Sequence, residues 1–195
     1  MTEQFDRAYY ERFYRNPRTA VTNRAEMNAR GRLIAAMADH LGLPVRSILD
    51  AGCGIGLLRA PLRRAFPRAA WTGLEYSEYL CQRYGWTQGS LATFRAEPFD
   101  LVVCYDVLQY LDDRTAARAI VSLGRLTRGL LYISALTARD WRENCDRTRT
   151  DRNVHLREVA WYGQRLRRWF RPSGVGFWIR RGAPLTAWEM ETAAV

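Results

Sequence analysis

Lysine is absent from this chain of 195 residues, so arginine alone carries the formal net charge of +10. Guanidinium groups match planar carboxylates and phosphates, and a basic surface attracts polyanions. Anionic small molecules and nucleic acid are therefore both candidate partners, although a GC-rich coding sequence would produce the same bias.

Cysteine and long apolar runs are also scarce. The four cysteines lie in unrelated contexts without a C-x-x-C pair, which argues against a disulfide framework and a metal site. No stretch approaches the roughly 20 apolar residues that span a bilayer, and the polar start Met1–Gln4 differs from a signal peptide. We therefore expect a cytoplasmic protein without a membrane partner.

The composition, with 48% apolar and 26% charged residues, indicates a single folded domain at this length. Its predicted parts are N-terminal helices over residues 1–45, a cofactor-binding core over residues 46–135, and an acceptor-side region over residues 136–195. The last part comprises a polar insertion, a helix and a terminal hairpin.

Two helices are predicted in the N-terminal part. Phe5, Tyr9 and Phe13 recur every four residues, which indicates an amphipathic helix. A second helix follows over Glu26–Leu41 and is closed by Gly42.

Short apolar strands alternate with helical segments in the core. The predicted strands are Ser47–Asp50, Ala70–Glu75, Gly85–Gln88, Phe99–Tyr105 and Gly129–Ala135. This alternation is typical of a doubly wound α/β fold whose sheet is mostly parallel.

The C-terminal part has a different pattern. After the arginine-rich insertion, a helix is predicted from Asn153 to Phe170. Val175–Arg180 and Leu185–Glu191 are predicted as strands. The four residues between them are too few for a crossover helix, so these strands should pair antiparallel.

A glycine-rich turn follows the first strand of the core, with the sequence Asp50-Ala51-Gly52-Cys53-Gly54-Ile55-Gly56. Glycines let the backbone turn sharply and approach a ligand, and the next helix presents unpaired N–H groups. The carboxyl end of a strand is also where open α/β sheets bind ligands. We therefore predict a ligand site here.

Glu75 and Tyr76 end the second strand, where a carboxylate accepts hydrogen bonds from a ribose and an aromatic ring lies along adenine. A nicotinamide-dinucleotide domain would share these features. However, the spacing is GxGxG instead of GxGxxG, and Asp50 would repel a pyrophosphate but hold an ammonium group. The pattern favours S-adenosylmethionine, with S-adenosylhomocysteine as the product.

These residues resemble the class I S-adenosylmethionine-dependent methyltransferases, and among them the small bacterial type 11 and type 12 members. The resemblance covers about Arg24–Ala135 and depends on ILDAGCGIG at 48–56, GLEYS at 73–77 and FDLVVCYDVLQYL at 99–111. It implies a Rossmann-like sheet of seven strands with a reversed final strand, in agreement with the predicted hairpin. It also implies that Tyr105 lines the wall near the methyl group.

The predicted cofactor site combines these features with an N-terminal helical lid. Its residues are Asp50, Gly52, Cys53, Gly54, Gly56, Glu75, Tyr76, Ser90, Leu91, Tyr105, Tyr10 and Tyr14. Relatives often have Gly-Asp where this chain has Gly89-Ser90, so the bond to adenine should be weaker. The connection Ser90–Pro98 is also short, and the helix usual there should be missing.

Methyl transfer needs near-attack geometry and a site without water. The N-terminal tyrosines either form a lid over the donor or simply pack the first helix. Tyr105 and His155 are the candidate catalytic residues; His155 would accept a proton if the acceptor must lose one, and a surface histidine is the alternative. His40, at a helix end, is expected to be structural.

The predicted acceptor is a small molecule, and an acidic one is favoured by six arginines around the insertion: Arg139, Arg142, Arg147, Arg149, Arg152 and Arg157. RNA is the second hypothesis because of the net charge, although the chain has no appended RNA-binding module. A third hypothesis is a non-catalytic donor-binding partner subunit.

Overall fold

The computed structural model of the chain describes residues 5–192. Met1–Gln4, on which the prediction against a signal peptide depends, and residues 193–195 lie outside the described part. No helix among residues 5–192 has the length and apolar character that a membrane span requires.

The core alternates strands and helices as predicted. The helices are α1 (Arg7–Tyr10), which continues as a π-helical turn (Glu11–Arg15), α2 (Arg24–His40), α3 (Arg59–Ala65), α4 (Glu78–Tyr84), α5 (Asp113–Leu126), α6 (Ala138–Glu143), α7 (Val159–Leu166) and α8 (Glu189–Thr192). The strands are β1 (Ser47–Ala51), β2 (Ala70–Glu75), β3 (Thr87–Gln88), β4 (Phe99–Tyr105), β5 (Thr127–Ser134), β6 (Phe170–Pro172) and β7 (Phe177–Arg180).

The seven strands form one sheet in the order β3-β2-β1-β4-β5-β7-β6. The first five are parallel, β7 runs antiparallel to β5, and β6 runs antiparallel to β7. The predicted Rossmann-like sheet with a reversed C-terminal strand is therefore confirmed.

Side chains of β4 explain why its sequence is a continuous apolar run. Leu101 and Val103 belong to a core shared with α2 and α3. Val102 and Cys104 belong to a second core shared with α5 and α7. Because successive side chains point to opposite faces and helices cover both faces, every position of the strand interior is buried.

The terminal hairpin exists, but the predicted strand boundaries were wrong. Phe170–Pro172 pairs with Phe177–Arg180, and Leu185–Glu191 is not a strand. The reason is the turn: Gly174, Val175 and Gly176 all have positive φ angles, of +67°, +47° and +82°, which reverses the chain before Phe177.

The helix predicted to run from Asn153 to Phe170 was also too long. The helix observed is Val159–Leu166. Phe170 is fully buried and pairs with Arg180 in the sheet. Tertiary pairing therefore overrides the helical spacing of the apolar residues at this point.

Candidate active site

A cavity of about 670 Å³ lies at the carboxyl ends of β1, β2 and β4. The strand order reverses between β1 and β4, and open α/β sheets bind ligands in the crevice at this switch point. The walls come from the glycine-rich turn, the ends of β2 and β4, the loop after β3 and the N-terminal segment. Most of the predicted site residues meet here.

The backbone of the glycine-rich turn adopts positive φ angles, which glycine tolerates better than other residues. The φ angles of Gly52, Gly54 and Gly56 are +75°, +52° and +76°. A Cβ atom on Gly52 would lie 2.3 Å from Cγ2 of Val107. Gly52 and Gly54 line the cavity, and their N–H groups donate hydrogen bonds to the carbonyl of Leu74 at 2.7 Å and to the carboxylate of Glu75 at 2.8 Å.

Three predicted cofactor residues do not line the cavity. Gly56 packs against Trp86, whose ring atom Cζ2 would lie 3.0 Å from a Cβ at that position. Cys53 is buried. Asp50 is buried at the end of β1, with 3% of its surface exposed. Contact of these three residues with a ligand stays a prediction.

The carboxylate of Glu75 joins β2 to the glycine-rich turn. It accepts hydrogen bonds from the backbone N–H groups of Gly54 at 2.8 Å, Tyr76 at 2.8 Å and Ser77 at 3.0 Å. Burial raises the pKa of Glu75, while these N–H donors oppose the rise. Two carboxylate oxygens offer about four acceptor positions, and these three N–H groups occupy three of them, so about one position remains for a ligand hydroxyl.

Asp50 is a buried carboxyl group with an unpartnered oxygen. Its Oδ2 atom has no hydrogen-bond partner among the described residues. Burial, together with the nearby charge of Glu75, raises the pKa of Asp50 to about 7. The ionised form is therefore unfavourable in the ligand-free protein, and a cationic group nearby would favour it.

Replacing Asp50 by asparagine should remove a pH dependence of stability. The pKa of Asp50 is about 7 in the folded state and about 3.9 in the unfolded state. The folded state therefore retains a proton that the unfolded state has lost, and the free energy of unfolding falls as the pH rises between these values. Asp50→Asn should exceed the native protein in stability at pH 8, by on the order of a few kcal/mol.

Denaturant unfolding of both ligand-free proteins from pH 5 to pH 8 measures this effect. The difference between them isolates Asp50 from the other titrating groups. Parallel stability curves across this range would contradict the assignment.

Tyr76, Ser90 and Leu91 line one part of the cavity, as the sequence predicted. Ser90 begins a turn, in which its Oγ atom accepts a hydrogen bond from the N–H of Ala92 at 3.3 Å. Residues 89–98 contain neither helix nor strand. The short connection therefore lacks a helix, as expected. Ser90 and Leu91, at its start, both line the cavity.

Aromatic residues of the N-terminal segment form the cover of the cavity: Phe5, Tyr9, Tyr10 and Tyr14. Ser77 Oγ donates a hydrogen bond of 2.6 Å to the carbonyl of Phe5, next to Glu75. The hydroxyls of Tyr9 and Tyr110 are 2.9 Å apart. Burial raises the pKa of Tyr14 well above its ordinary value, so its phenol is neutral. These side chains therefore line one side of the cavity, and closure of the segment over a donor stays a prediction.

The end of β4 provides a second polar wall. Tyr105 lines the cavity, and the guanidinium of Arg30 lies 4.1 Å from the centre of its ring. Asp106 also lines the cavity, has a φ angle of +55°, and has a pKa raised by burial. Asp106 was not among the predicted site residues, although an acidic residue directly after a buried strand is a usable signal.

The two histidines have different environments. His155 lines the cavity, and its backbone N–H donates a hydrogen bond of 2.7 Å to the carbonyl of Gln109. His40 ends α2 away from the cavity, where Nε2 is 2.6 Å from Oε1 of Glu191. Only His155 is therefore placed to meet a substrate.

The six arginines of the acceptor side divide into two groups. Three pair with carboxylates: Arg139 with Glu143, Arg142 with Glu158 and Arg157 with Asp113. The side chain of Arg157 is only 4% exposed and also donates to the carbonyl of Leu108, so it supports the fold. Arg147, Arg149 and Arg152 have no carboxylate partner within residues 5–192.

Comparisons with known proteins agree with this geometry. The sequence profile of the methyltransferase domain family matches residues 11–179. No protein of curated function matches the chain by sequence. The structure is similar to magnesium protoporphyrin IX methyltransferase from Synechocystis with bound S-adenosylhomocysteine, with a TM-score of 0.63 and 22% identity; the match covers 86% of each chain.

Two other solved structures match over a smaller part. The sugar N-methyltransferase KedS8 from Streptoalloteichus has a TM-score of 0.53 and 25% identity, and the match covers 66% of this chain and 54% of that protein. DesVI from Streptomyces venezuelae has a TM-score of 0.50 and 22% identity, with coverage of 58% and 53%. The chain thus spans about half the length of these two proteins. With its matched residues 11–179, the chain belongs to the methyltransferase domain family, and its seven-stranded sheet has the class I methyltransferase fold, as its motifs predicted.

Proposed function

We propose that the cavity binds S-adenosylmethionine and that the chain transfers its methyl group to a small acceptor. The observation that carries the proposal is the meeting of the glycine-rich turn, Glu75 and the aromatic cover around one cavity of about 670 Å³. This volume lies within the range of roughly 300 to 1,000 Å³ for small-molecule sites. Family membership and the ligand of the Synechocystis protein support the same donor.

The residues divide along the cavity by chemistry. Backbone groups of Gly52 and Gly54, with Asp50 beneath them, would hold the amino-acid end of the donor. Glu75 would accept a hydrogen bond from a ribose hydroxyl, and Tyr76 would lie along the adenine. The unpartnered Oδ2 of Asp50 fits a cationic ligand group, because an ammonium would stabilise its ionised form.

Ser90 and Leu91 would complete the adenine end, while Tyr105, Tyr10 and Tyr14 would enclose the reacting methyl group. When bound, S-adenosylmethionine supplies an electrophilic methyl group on a sulfonium. Burial raises the pKa of Tyr10, Tyr14 and Tyr105, so their phenols are neutral, and aromatic rings stabilise a nearby cation. They would also exclude water from the site. Their packing around the ligands would hold the donor and the acceptor in near-attack geometry.

Proton removal is required only when the acceptor nucleophile carries a proton. His155 lines the cavity and would accept such a proton as a general base. Tyr105 would act on the same wall by positioning the acceptor. Asp106 adds a carboxylate to this wall that the sequence analysis did not include.

The acceptor is proposed to be a small molecule that carries negative charge. Support comes from the exposed, unpaired Arg147 and Arg152, since Arg139, Arg142 and Arg157 are engaged within the protein. The net charge of +10 keeps RNA as the second hypothesis. A non-catalytic donor-binding subunit is the third, and the aromatic cover around the cavity favours catalysis over it.

Calorimetry with S-adenosylhomocysteine and with NAD tests the choice of donor. We expect one S-adenosylhomocysteine to bind per chain and NAD to bind at least a hundredfold more weakly, because a pyrophosphate would lie next to Asp50 and Glu75. The reverse order of affinities would overturn the proposed function.

A further inference from the structure

A second cleft lies on the far side of Tyr9 from the main cavity. Its volume is about 410 Å³, and Tyr9 lines both spaces. One side is formed by the N-terminal segment at Arg12 and Phe13, and the other by the loop 147–153 that follows α6. His155, two residues beyond this loop, lines the main cavity. A molecule in the cleft would therefore lie next to the proposed reaction site.

Three arginines are among the residues that line this cleft, Arg12, Arg147 and Arg152. None has a carboxylate partner within residues 5–192. Arg147 is oriented by a hydrogen bond of 3.0 Å from its Nε atom to the carbonyl of Trp141. No ion pair therefore neutralises these three arginines, and a hydrogen bond fixes the position of Arg147.

Asp151 is the one acidic residue in the lining. Its Oδ1 atom accepts a hydrogen bond of 2.9 Å from the backbone N–H of Asn153, which occupies it in a turn. With one negative charge against three positive charges, the cleft has a surplus of about two. The neighbouring Arg149 donates to the carbonyl of Ala20 and does not line the cleft.

We propose that this cleft is an oxyanion site, which holds a phosphate or carboxylate group of the acceptor while the rest of that molecule reaches past Tyr9 into the main cavity. The inference rests on the proposed function insofar as the occupant is the methyl acceptor. Guanidinium forks bind both oxyanions through paired N–H donors. The surplus of two charges suits a single small group more than a polyanion.

Anion binding to the full chain, saturated with S-adenosylhomocysteine, tests the proposal. Inorganic phosphate and sodium acetate are the two probes, titrated by calorimetry at low ionic strength. We expect at least one of them to bind with one site per chain, and the double variant R12A/R152A to bind it at least tenfold more weakly. Both side chains are exposed and have no ion pair within residues 5–192. Arg12 lies 4.9 Å from the ring centre of Phe13, so circular dichroism should first show that the double variant is folded.

R139A/R142A is the matched control, since it removes the same charge from the neighbouring helix α6 at surface pairs that contribute little to stability. It should change anion affinity less than twofold. Binding of neither probe, or an equal loss in both double variants, would overturn the proposal. Tight binding of a single-stranded RNA that is lost in R12A/R152A would also overturn it. The slope of log affinity against log salt concentration, about −0.7 per phosphate contact, would then correspond to several contacts.

Calorimetry with S-adenosylhomocysteine separates failure of this inference from failure of the proposed function. If both double variants bind S-adenosylhomocysteine like the native chain and also bind the anion with the native affinity, only the cleft assignment is wrong. If the native chain does not bind it at all, the proposed function itself is wrong.

Discussion

Replacing Glu75 by glutamine is expected to weaken S-adenosylhomocysteine binding by about tenfold to 150-fold. The carboxylate is the proposed hydrogen-bond acceptor for the ribose, and a hydrogen bond to a charged group contributes roughly 1.5 to 3 kcal/mol. Glutamine retains the volume and one carbonyl oxygen, but its NH₂ group cannot accept. Calorimetry on the purified variant measures the change.

The structure adds a second consequence of this change. Three backbone N–H groups, of Gly54, Tyr76 and Ser77, depend on the carboxylate of Glu75. Glu75→Ala would leave all three without their acceptor and should lower the free energy of unfolding, whereas Glu75→Gln should lower it less.

The control is Glu78→Gln, which changes the same charge three residues away on the exposed start of α4. It should bind S-adenosylhomocysteine like the native protein. If Glu75→Gln is folded and also binds normally, Glu75 does not hold the ribose.

Deleting residues 1–15 should reduce S-adenosylhomocysteine affinity about seventyfold. The segment supplies the aromatic cover, and uncovering roughly 100 Å² of apolar ligand surface costs about 2.5 kcal/mol at 25 cal/mol/Å². The sheet and both cores should remain, because strand pairing in the sheet uses no residue before Ser47.

Two smaller changes keep this test informative if the truncated chain unfolds. Tyr14→Ala opens the cover at one position and should weaken binding in the same direction. Tyr84→Phe removes the hydroxyl that accepts a hydrogen bond of 3.1 Å from Arg15, so it loosens the end of the segment without touching the cavity. Normal affinity in both the truncated chain and Tyr14→Ala would leave packing as the segment's single role.

Much of the donor side was predictable because it depends on short-range features. The turn from Gly52 to Gly56 needs positive φ angles that glycine adopts without strain, so its composition marks its geometry. Glu75 was recognisable because it ends a strand one βα unit later. The carboxyl ends of parallel strands meet at one edge, which brings these two features together.

The acceptor side was less predictable because its contacts join distant parts of the chain. Six arginines between Arg139 and Arg157 were indistinguishable in sequence, yet ion pairs withdraw three of them. Arg12 received no role from its sequence context, since only folding places it opposite the loop 147–153. The burial of Asp106 and its positive φ angle are likewise visible only in the folded chain.

The sequence by itself determined the class of fold, the positions of the five parallel strands along the chain and the position of the glycine-rich turn. These follow from hydrophobic periodicity and from glycine's conformational freedom, which act over a few residues. Tertiary structure alone decided that Phe170 pairs with Arg180 in the sheet instead of continuing the helix. It also decided that Asp50 is buried with an unpartnered oxygen, and which arginines have no carboxylate partner. Burial and pairing depend on neighbours distant along the chain, and local pattern contains no information about which of those neighbours are close in space.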